Sequence, residues 1–259
     1  MGAPKSQDGS VEIMRLLRLQ RRSAIRARTQ AANQIHAVVS TAPETLRSAL
    51  RELTLAALLV RSSKMRASKA VDLVTATRIV LRGLALRWHQ LDREVALLDE
   101  QLESLVQATA PELVALRGVG VEVAGALLVA AGDNPERLAH EASFAALCGV
   151  SPVDASSGKQ HRHRLNRGGN RDANRALWVI ALVRLRCDGR TREYVARRTT
   201  EGLSKPEILR CLKRYIAREV FKIIQRSSLV QPAKPVQETL DGTQEHQRRR
   251  RKLLLDAET

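Results

Sequence analysis

The chain has 259 residues, with 44 Lys and Arg against 27 Asp and Glu, a formal net charge of +17 and a sequence pI of about 11.0. Its length suggests two structural units at roughly 150 residues each, and a hydrophobic fraction of 44% excludes a wholly disordered basic tail. Two residues each of Phe, Trp and Tyr argue against an all-β sandwich or barrel, and against nucleic-acid binding on stacked aromatic platforms. The cationic surplus favours a polyanion partner, of which phosphate backbones are the commonest. Cys148, Cys187 and Cys211 are too far apart for a disulfide framework or a CxxC metal site and read as small buried apolar residues of a reducing compartment. No apolar run approaches the roughly 20 residues of a membrane span, and Met1-Gly2-Ala3-Pro4-Lys5-Ser6 lacks a signal-peptide core. These features predict a cytoplasmic protein with no membrane partner.

In chain order, the first predicted helix runs from about Val11 to Val39, with Ser10 as its N-cap. Ile13, Leu17, Ala24, Ala31, Ile35 and Val38 fall near helical spacing, and Arg15, Arg18, Arg21, Arg22, Arg26 and Arg28 cover much of the rest. A new helix is predicted at Pro43, with Glu44 in its first turn. Thr54 to Val60 is short and apolar, and Arg61-Ser62-Ser63-Lys64 reads as a break. From Ser68 to Thr109 no Pro intervenes, which allows a helix of roughly 60 Å. Within it Leu81 and Leu84, Trp88 and Leu91, Val95 and Leu98, and Leu102 and Leu105 repeat at alternating spacings of three and four. That heptad fits a coiled-coil seam between two copies or a hairpin packed on the first helix of the same chain; the reading leans to a homodimer through this helix.

After Ala110-Pro111-Glu112 the composition changes. Leu116-Arg117-Gly118-Val119-Gly120-Val121 reads as a helix, a glycine turn and a second helix, close to a helix-hairpin-helix pattern. Gly118 and Gly120 would permit the turn, and the following amides would face a phosphate. A short helix is predicted from Phe144 to Val150, then a turn-rich loop to Gly158. Lys159 to Arg171 forms an extended arm or a minor β-hairpin. Lys159 to Arg198 holds twelve Lys or Arg against three acids, the electrostatic footprint of the chain. Arg171 to Cys187 is predicted as a helix whose middle, Ala176 to Val183, is buried on every side. Ser204-Lys205-Pro206-Glu207 is a capping box. The helix it opens has an apolar stripe of Ile208, Leu212, Ile216, Val220 and Ile223, and a basic face of Lys213, Arg214, Arg218 and Lys222. Beyond Gln231, two prolines and Arg248-Arg249-Arg250-Arg251-Lys252 read as a disordered basic tail.

Chemistry-bearing clusters are few. His161 and His163 lack a partner at ligand spacing, and the acids Asp72, Asp92, Glu94, Asp99, Glu100 and Glu103 read as the exposed side of the heptad helix, so no metal site is predicted. No nucleotide-binding glycine loop is present. A hydroxyl is the remaining candidate nucleophile. Ser157 precedes Gly158 and is followed by Lys159, Arg162, Arg164 and Arg167, the cations that phosphoryl transfer needs over its equatorial oxygens. Ser-Ser-Gly in a loop equally suits a simple turn.

Residues from about Pro111 to Gln225 resemble the C-terminal domain of the transposases of insertion-sequence family 110 (the 116/110/902 group), with the related Piv-type DNA invertases. The matching features are Gly118-Val119-Gly120, then Phe144-Ala145-Ala146-Leu147-Cys148-Gly149-Val150-Ser151-Pro152, then Ser156-Ser157-Gly158. A basic stretch and Arg167-Gly168-Gly169-Asn170-Arg171-Asp172-Ala173-Asn174-Arg175-Ala176-Leu177 follow. The resemblance implies a recombinase guided by an RNA of its own element. In that role Ser157 is the nucleophile on DNA, Ser156 ranks second, and Mg2+ is held by acidic residues of a ribonuclease-H-like domain. The chain is expected to begin after that domain, to bind no cofactor itself and to be catalytically incomplete alone.

The combined expectation is an all-α protein. It has an N-terminal helical region (1–67), a long coiled-coil-like heptad helix (68–110), a compact transposase-like helical domain (111–228) with the glycine hairpin and at most a minor β-hairpin, and a basic tail (229–259). DNA is the expected partner, with guide RNA beside it, at the nucleoid. The predicted nucleic-acid contacts are Gly118, Gly120, Lys159, Arg162, Arg164, Arg167, Asn170, Arg171 and Arg175. A nonenzymatic DNA- or RNA-binding protein descended from a transposase is the alternative.

Overall fold

A computed structural model describes residues 9–66, 69–132, 138–154, 163–164 and 166–227. Among these the chain is all-α. Its helices are α1 (Ser10–Ser40), α2 (Glu44–Leu50), α3 (Leu55–Ser63), α4 (Leu73–Thr109), α5 (Pro111–Val114), α6 (Val121–Ala131), α7 (Glu141–Leu147), α8 (Arg171–Cys187), α9 (Gly189–Thr200) and α10 (Lys205–Ser227). One antiparallel pair, β1 (Val153–Asp154) and β2 (His163–Arg164), is the minor β-hairpin, and its first strand lies earlier than the predicted arm.

The long arm is a hairpin of α1 and α4. Arg28 pairs with Asp92 and Arg21 with Asp99, so seven residues forward along α1 match seven back along α4. Gln20 Nε2 adds a 2.5 Å hydrogen bond to Glu94. These acids were expected on the exposed side of α4; the structure puts them on the flank that meets the arginines of α1. The heptad stripe is covered within the chain. Leu81, Val95, Leu98 and Leu102 are buried and Leu84, Trp88, Leu91 and Leu105 half-buried. Of the two arrangements open from sequence, the structure has the hairpin. Ala24, Ala31 and Ala32 are buried on α1, and such small side chains let two helix axes approach closely.

Two apolar clusters terminate the arm. At one end Ile35, Val39, Leu46, Leu50, Leu58, Leu59, Leu81 and Ala85 close α2 and α3 over the hairpin. At the other, Val11, Met14, Leu102 and Val106 join the core of α6, α7, α8 and α10. Caps mark the boundaries. Asp72 accepts from the Thr75 amide at 2.8 Å and the Thr75 hydroxyl at 2.9 Å, which holds its carboxyl below the ordinary range. Gly9, not Ser10, caps α1, and Ser10 is already helical.

In the C-terminal half α8 has the predicted bounds, but its middle is not buried all round: Trp178 is 43% and Val183 37% exposed. The predicted apolar stripe of α10 is buried throughout. Helix α9 was not foreseen; Asp188 starts it by accepting from the Thr191 amide at 3.0 Å. The cysteines divide. Burial pushes the Cys148 thiol up to about 12, Cys211 is half-buried, and Cys187, at the solvent end of α8, is exposed rather than buried. Among the described residues no helix is long and apolar enough to cross a membrane.

Ile35 has no exposed surface, whereas Leu97 is 61% exposed on α4. Ile35→Ala should therefore lower unfolding stability by about 2–5 kcal/mol and Leu97→Ala by no more than about 0.5 kcal/mol, read from urea denaturation midpoints. Equal losses would contradict the assignment of the α1–α4 seam.

Candidate functional site

The start of α8 is built on a backbone crossing. Gly149 and Gly169 both have positive φ, +64° and +85°. A Cβ on Gly169 would lie 2.5 Å from the Gly149 nitrogen and 2.7 Å from the Leu147 carbonyl oxygen, so only glycine fits. The close pass lets the Asn170 amide donate to the Leu147 carbonyl at 2.6 Å. The Asn170 side chain then caps α8, its Oδ1 accepting from the Ala173 amide at 3.0 Å. One turn on, Asn174 Nδ2 donates to the Cys148 carbonyl at 2.8 Å and the Gly149 carbonyl at 3.2 Å. Its Oδ1 accepts from Lys213 Nζ of α10 at 2.9 Å. Lys213 was read as part of an exposed basic face, yet it is buried, and burial with the nearby charge of Arg210 lowers its pKa. Asn174 and Lys213 are the site residues to which sequence reasoning gave no such role. The signal for Asn174 was its place in the first turn after Gly168-Gly169-Asn170; Lys213 had none, because spacing alone put it among surface cations.

A few residues beyond the crossing, β1 and β2 pair Val153 with Arg164 and Asp154 with His163. Residues 153–154 and 163–164, which flank segment 155–162 in sequence, thus lie side by side. Ser156, Ser157, Lys159 and Arg162 lie within that segment, outside the described residues. Of the other predicted contacts, Arg164 stands in β2, and Arg167, Arg171 and Arg175 are exposed around the α8 start. Asn170 is half-buried and occupied as a helix cap.

The glycine hairpin is placed differently from its sequence reading. Only the four residues of α5 precede it, and Leu116 and Arg117 lie in the turn rather than a helix. Gly118 (φ +87°) backs onto α8, where a Cβ would sit 3.3 Å from both the Ile180 carbonyl oxygen and Val183 Cβ. Its role is close packing. Gly120 is exposed and precedes α6 as its N-cap. Glu122, in the first turn of α6, pairs with Arg18 at 2.7 Å and Arg21 at 3.5 Å, so a carboxylate already stands at that end of the helix. Among the described residues no group of three or more His, Cys, Asp or Glu converges on a metal position.

Residues 110–196 match the model of the Transposase IS116/IS110/IS902 family. This segment is similar to the transposase domain of that family. Over 162 residues the chain is also 30% identical to the "Insertion element IS110 uncharacterized 43.6 kDa protein" of Streptomyces coelicolor (strain ATCC BAA-471 / A3(2) / M145). That match takes in 61% of this chain and 39% of that protein, so the chain spans about two fifths of its curated relative. The matched segment contains the glycine crossing, the β1–β2 pair and the whole of α8, whereas Lys213, which ties Asn174 from behind, lies beyond it.

Gly202 supplies an internal comparison, since it has φ +86° with nothing within 4 Å of a built Cβ. Gly202→Ala should cost about 1 kcal/mol and Gly169→Ala about 3 kcal/mol or more, by urea titration. Lys213 predicts a pH effect. Its folded pKa lies below the unfolded value near 10.5, so the unfolded chain binds the extra proton between the two values. Stability should therefore recover as pH rises through that window, relative to a Lys213→Met variant. Parallel stability–pH curves for the two proteins would contradict the burial of this ammonium.

Proposed function

We propose that this chain supplies the DNA-handling, nucleophile-bearing part of an insertion-sequence transposase, with Ser157 as the attacking hydroxyl and Ser156 second in rank. The observation that supports this reading is the glycine crossing at the start of α8 together with the β1–β2 pair, whose strands flank the Ser157 segment in sequence, all within the residues that match the transposase family. In the proposed step a Ser157 Oγ–phosphorus bond forms while one phosphorus–oxygen bond of the DNA strand breaks; the serine proton passes to water, and the departing strand oxygen takes one up from water and leaves as a free hydroxyl. Lys159, Arg162, Arg164 and Arg167 would offset charge on the phosphoryl oxygens, and Gly158 would leave room for the strand. Arg171 and Arg175 would hold neighbouring phosphates, while Asn170 serves by capping and orienting α8. Gly120 stays in the proposed interface through its exposed place before α6, and Gly118 through the turn that it permits.

Among the described residues no group of acids fits Mg2+, so the proposed step does not run through it; in this reading acidic residues of a ribonuclease-H-like domain would hold the ion. DNA, a guide RNA and a second copy of the chain are the proposed partners, at the nucleoid in the cytoplasm. Because α1 fills the α4 seam, a homodimer would use the outer apolar residues of the arm, Leu16 and Leu19 on α1 and Leu97 on α4.

Duplex binding should weaken with salt with a log–log slope of about −5 if about six phosphates are neutralised. With an acidic domain in trans, Mg2+ and guide RNA, nicked DNA should become covalently attached, and Ser157→Ala should abolish the attachment. Attachment that survives Ser157→Ala but not Ser156→Ala would move the nucleophile by one residue. Salt-sensitive binding without attachment under any of these conditions would favour the nonenzymatic alternative.

A further inference from the structure

The chain has two tryptophans, and the structure treats them oppositely. Trp88 is half-buried in the arm, with the Arg28 guanidinium 5.6 Å from its ring centroid and the His89 ring edge-on at 5.4 Å. Trp178 stands on the outer face of α8, 43% exposed, and among the described residues no ring or guanidinium covers it. Arg171, Arg175, Trp178 and Arg186 lie within about 80° of one another around the helix and extend about 22 Å along it. The three arginines are exposed and have no acidic partner among the described residues. Asp172, the acid in the first turn, is held off this stripe by Arg22 of α1 at 2.5 Å.

An uncovered indole among uncompensated guanidiniums is complementary to a group that is both flat and anionic. In a duplex the base faces are already stacked on each other, leaving nothing for the indole face to meet. An unpaired nucleotide offers both a free π-face and a phosphate on either side. We infer that the outer stripe of α8 binds single-stranded nucleic acid, with one unpaired base stacked on Trp178 and the flanking phosphates on Arg171, Arg175 and Arg186. This rests on the nucleic-acid-binding reading above and adds to it a strand state and a base-contacting residue. The scarcity of aromatic residues rules out a platform of rings but not a single stacking position.

The test uses the full chain with oligothymidylate, oligouridylate and a mixed-sequence duplex, each measured by fluorescence anisotropy of a labelled strand. Trp178 is exposed, so its replacement leaves the core intact, and Trp178→Phe keeps a ring in place. Trp178→Ala should weaken binding to the single strand by about tenfold or more, Trp178→Phe by no more than about threefold, and both should leave the duplex within about twofold. Intrinsic tryptophan emission should be quenched by the single strand in the wild-type chain and not in Trp178→Phe, where only Trp88 emits. Trp178 dependence on either single strand supports the inference, and the strand that shows it identifies DNA or RNA as the source. Tight single-strand binding that Trp178→Ala leaves unchanged overturns the inference while the nucleic-acid-binding reading stands. An equal loss on the duplex also overturns it. Binding to none of the three polymers overturns the nucleic-acid-binding reading, and this inference with it.

Discussion

The site depends on a backbone crossing too tight for any side chain. Residues 168–169 pass over 147–149 at a separation that a single Cβ would open, and three other features hang on that separation. The Asn170 amide reaches the Leu147 carbonyl, Asn174 reaches the carbonyls of Cys148 and Gly149, and through Asn174 the ammonium of Lys213 finds an acceptor in the core. Each of these groups is wholly or partly withdrawn from water, so losing its partner costs desolvation as well as the bond itself. The crossing therefore fixes the start of α8, the chain leading to β1 and the position of α10 together.

The positive charge is divided by the same architecture. The arginines of α1 that face α4 and α6 are consumed by Asp92, Asp99 and Glu122, and Arg22 is consumed by Asp172 of α8. Arg214 and Arg218 of α10 share Glu141, and Arg184 pairs with Glu219 at 2.6 Å. On the outer face of α8 and in the chain just before it, Arg167, Arg171, Arg175 and Arg186 are exposed and have no acidic partner among the described residues. A polyanion is attracted to the net field but settles where cations lack neighbours, since an arginine already bidentate to a carboxylate must give up that pair to bind phosphate. Most arginines of the N-terminal basic helix are thus structural, and fewer cations are open to a polyanion than a charge count suggests.

Much of this was legible before the structure, for reasons that differ by element. Helix α8 was bounded correctly because Asn170 and the glycines before it cap one end and its apolar period lapses near Cys187. The heptad of α4 was equally visible, but its partner was not. A seam of Leu and Val reads the same whether a second chain or α1 fills it, and the choice rests on the buried alanines of α1 and on acids whose partners lie far along the chain. Helix α9 escaped notice because Gly189-Arg190-Thr191-Arg192 carries almost no apolar period; the Asp188-to-Thr191 cap was its signal. The errors at Trp178, Cys187 and Lys213 share one cause. Local pattern assigns a face to a residue, whereas burial depends on which neighbour covers that face; Lys213 of α10 meets Asn174 of α8, while the outer side of α8 stays open.

The segment that matches the transposase family is also not a self-sufficient packing unit. Its core includes Val11 and Met14 of α1, Leu102 and Val106 of α4, and Ile208, Ile216, Val220 and Ile224 of α10, all outside residues 110–196. Stripped of these, the inner faces of α6 and α8 would present Leu127, Leu177 and Ile180 to water, each a loss of about 1.5–3 kcal/mol against a stability that for domains of this size is itself about 5–15 kcal/mol. Arg18 makes the union specific. It is 4% exposed, it pairs with Glu122 on α6, and a Cβ on Gly125 would come within 3.2 Å of its Cδ. With Arg22 joined to Asp172 one turn later, α1 grips both α6 and α8. The arm and the open stripe of α8 consequently share one frame, and any partner that reorients the arm also redirects the arginines and the tryptophan on that stripe.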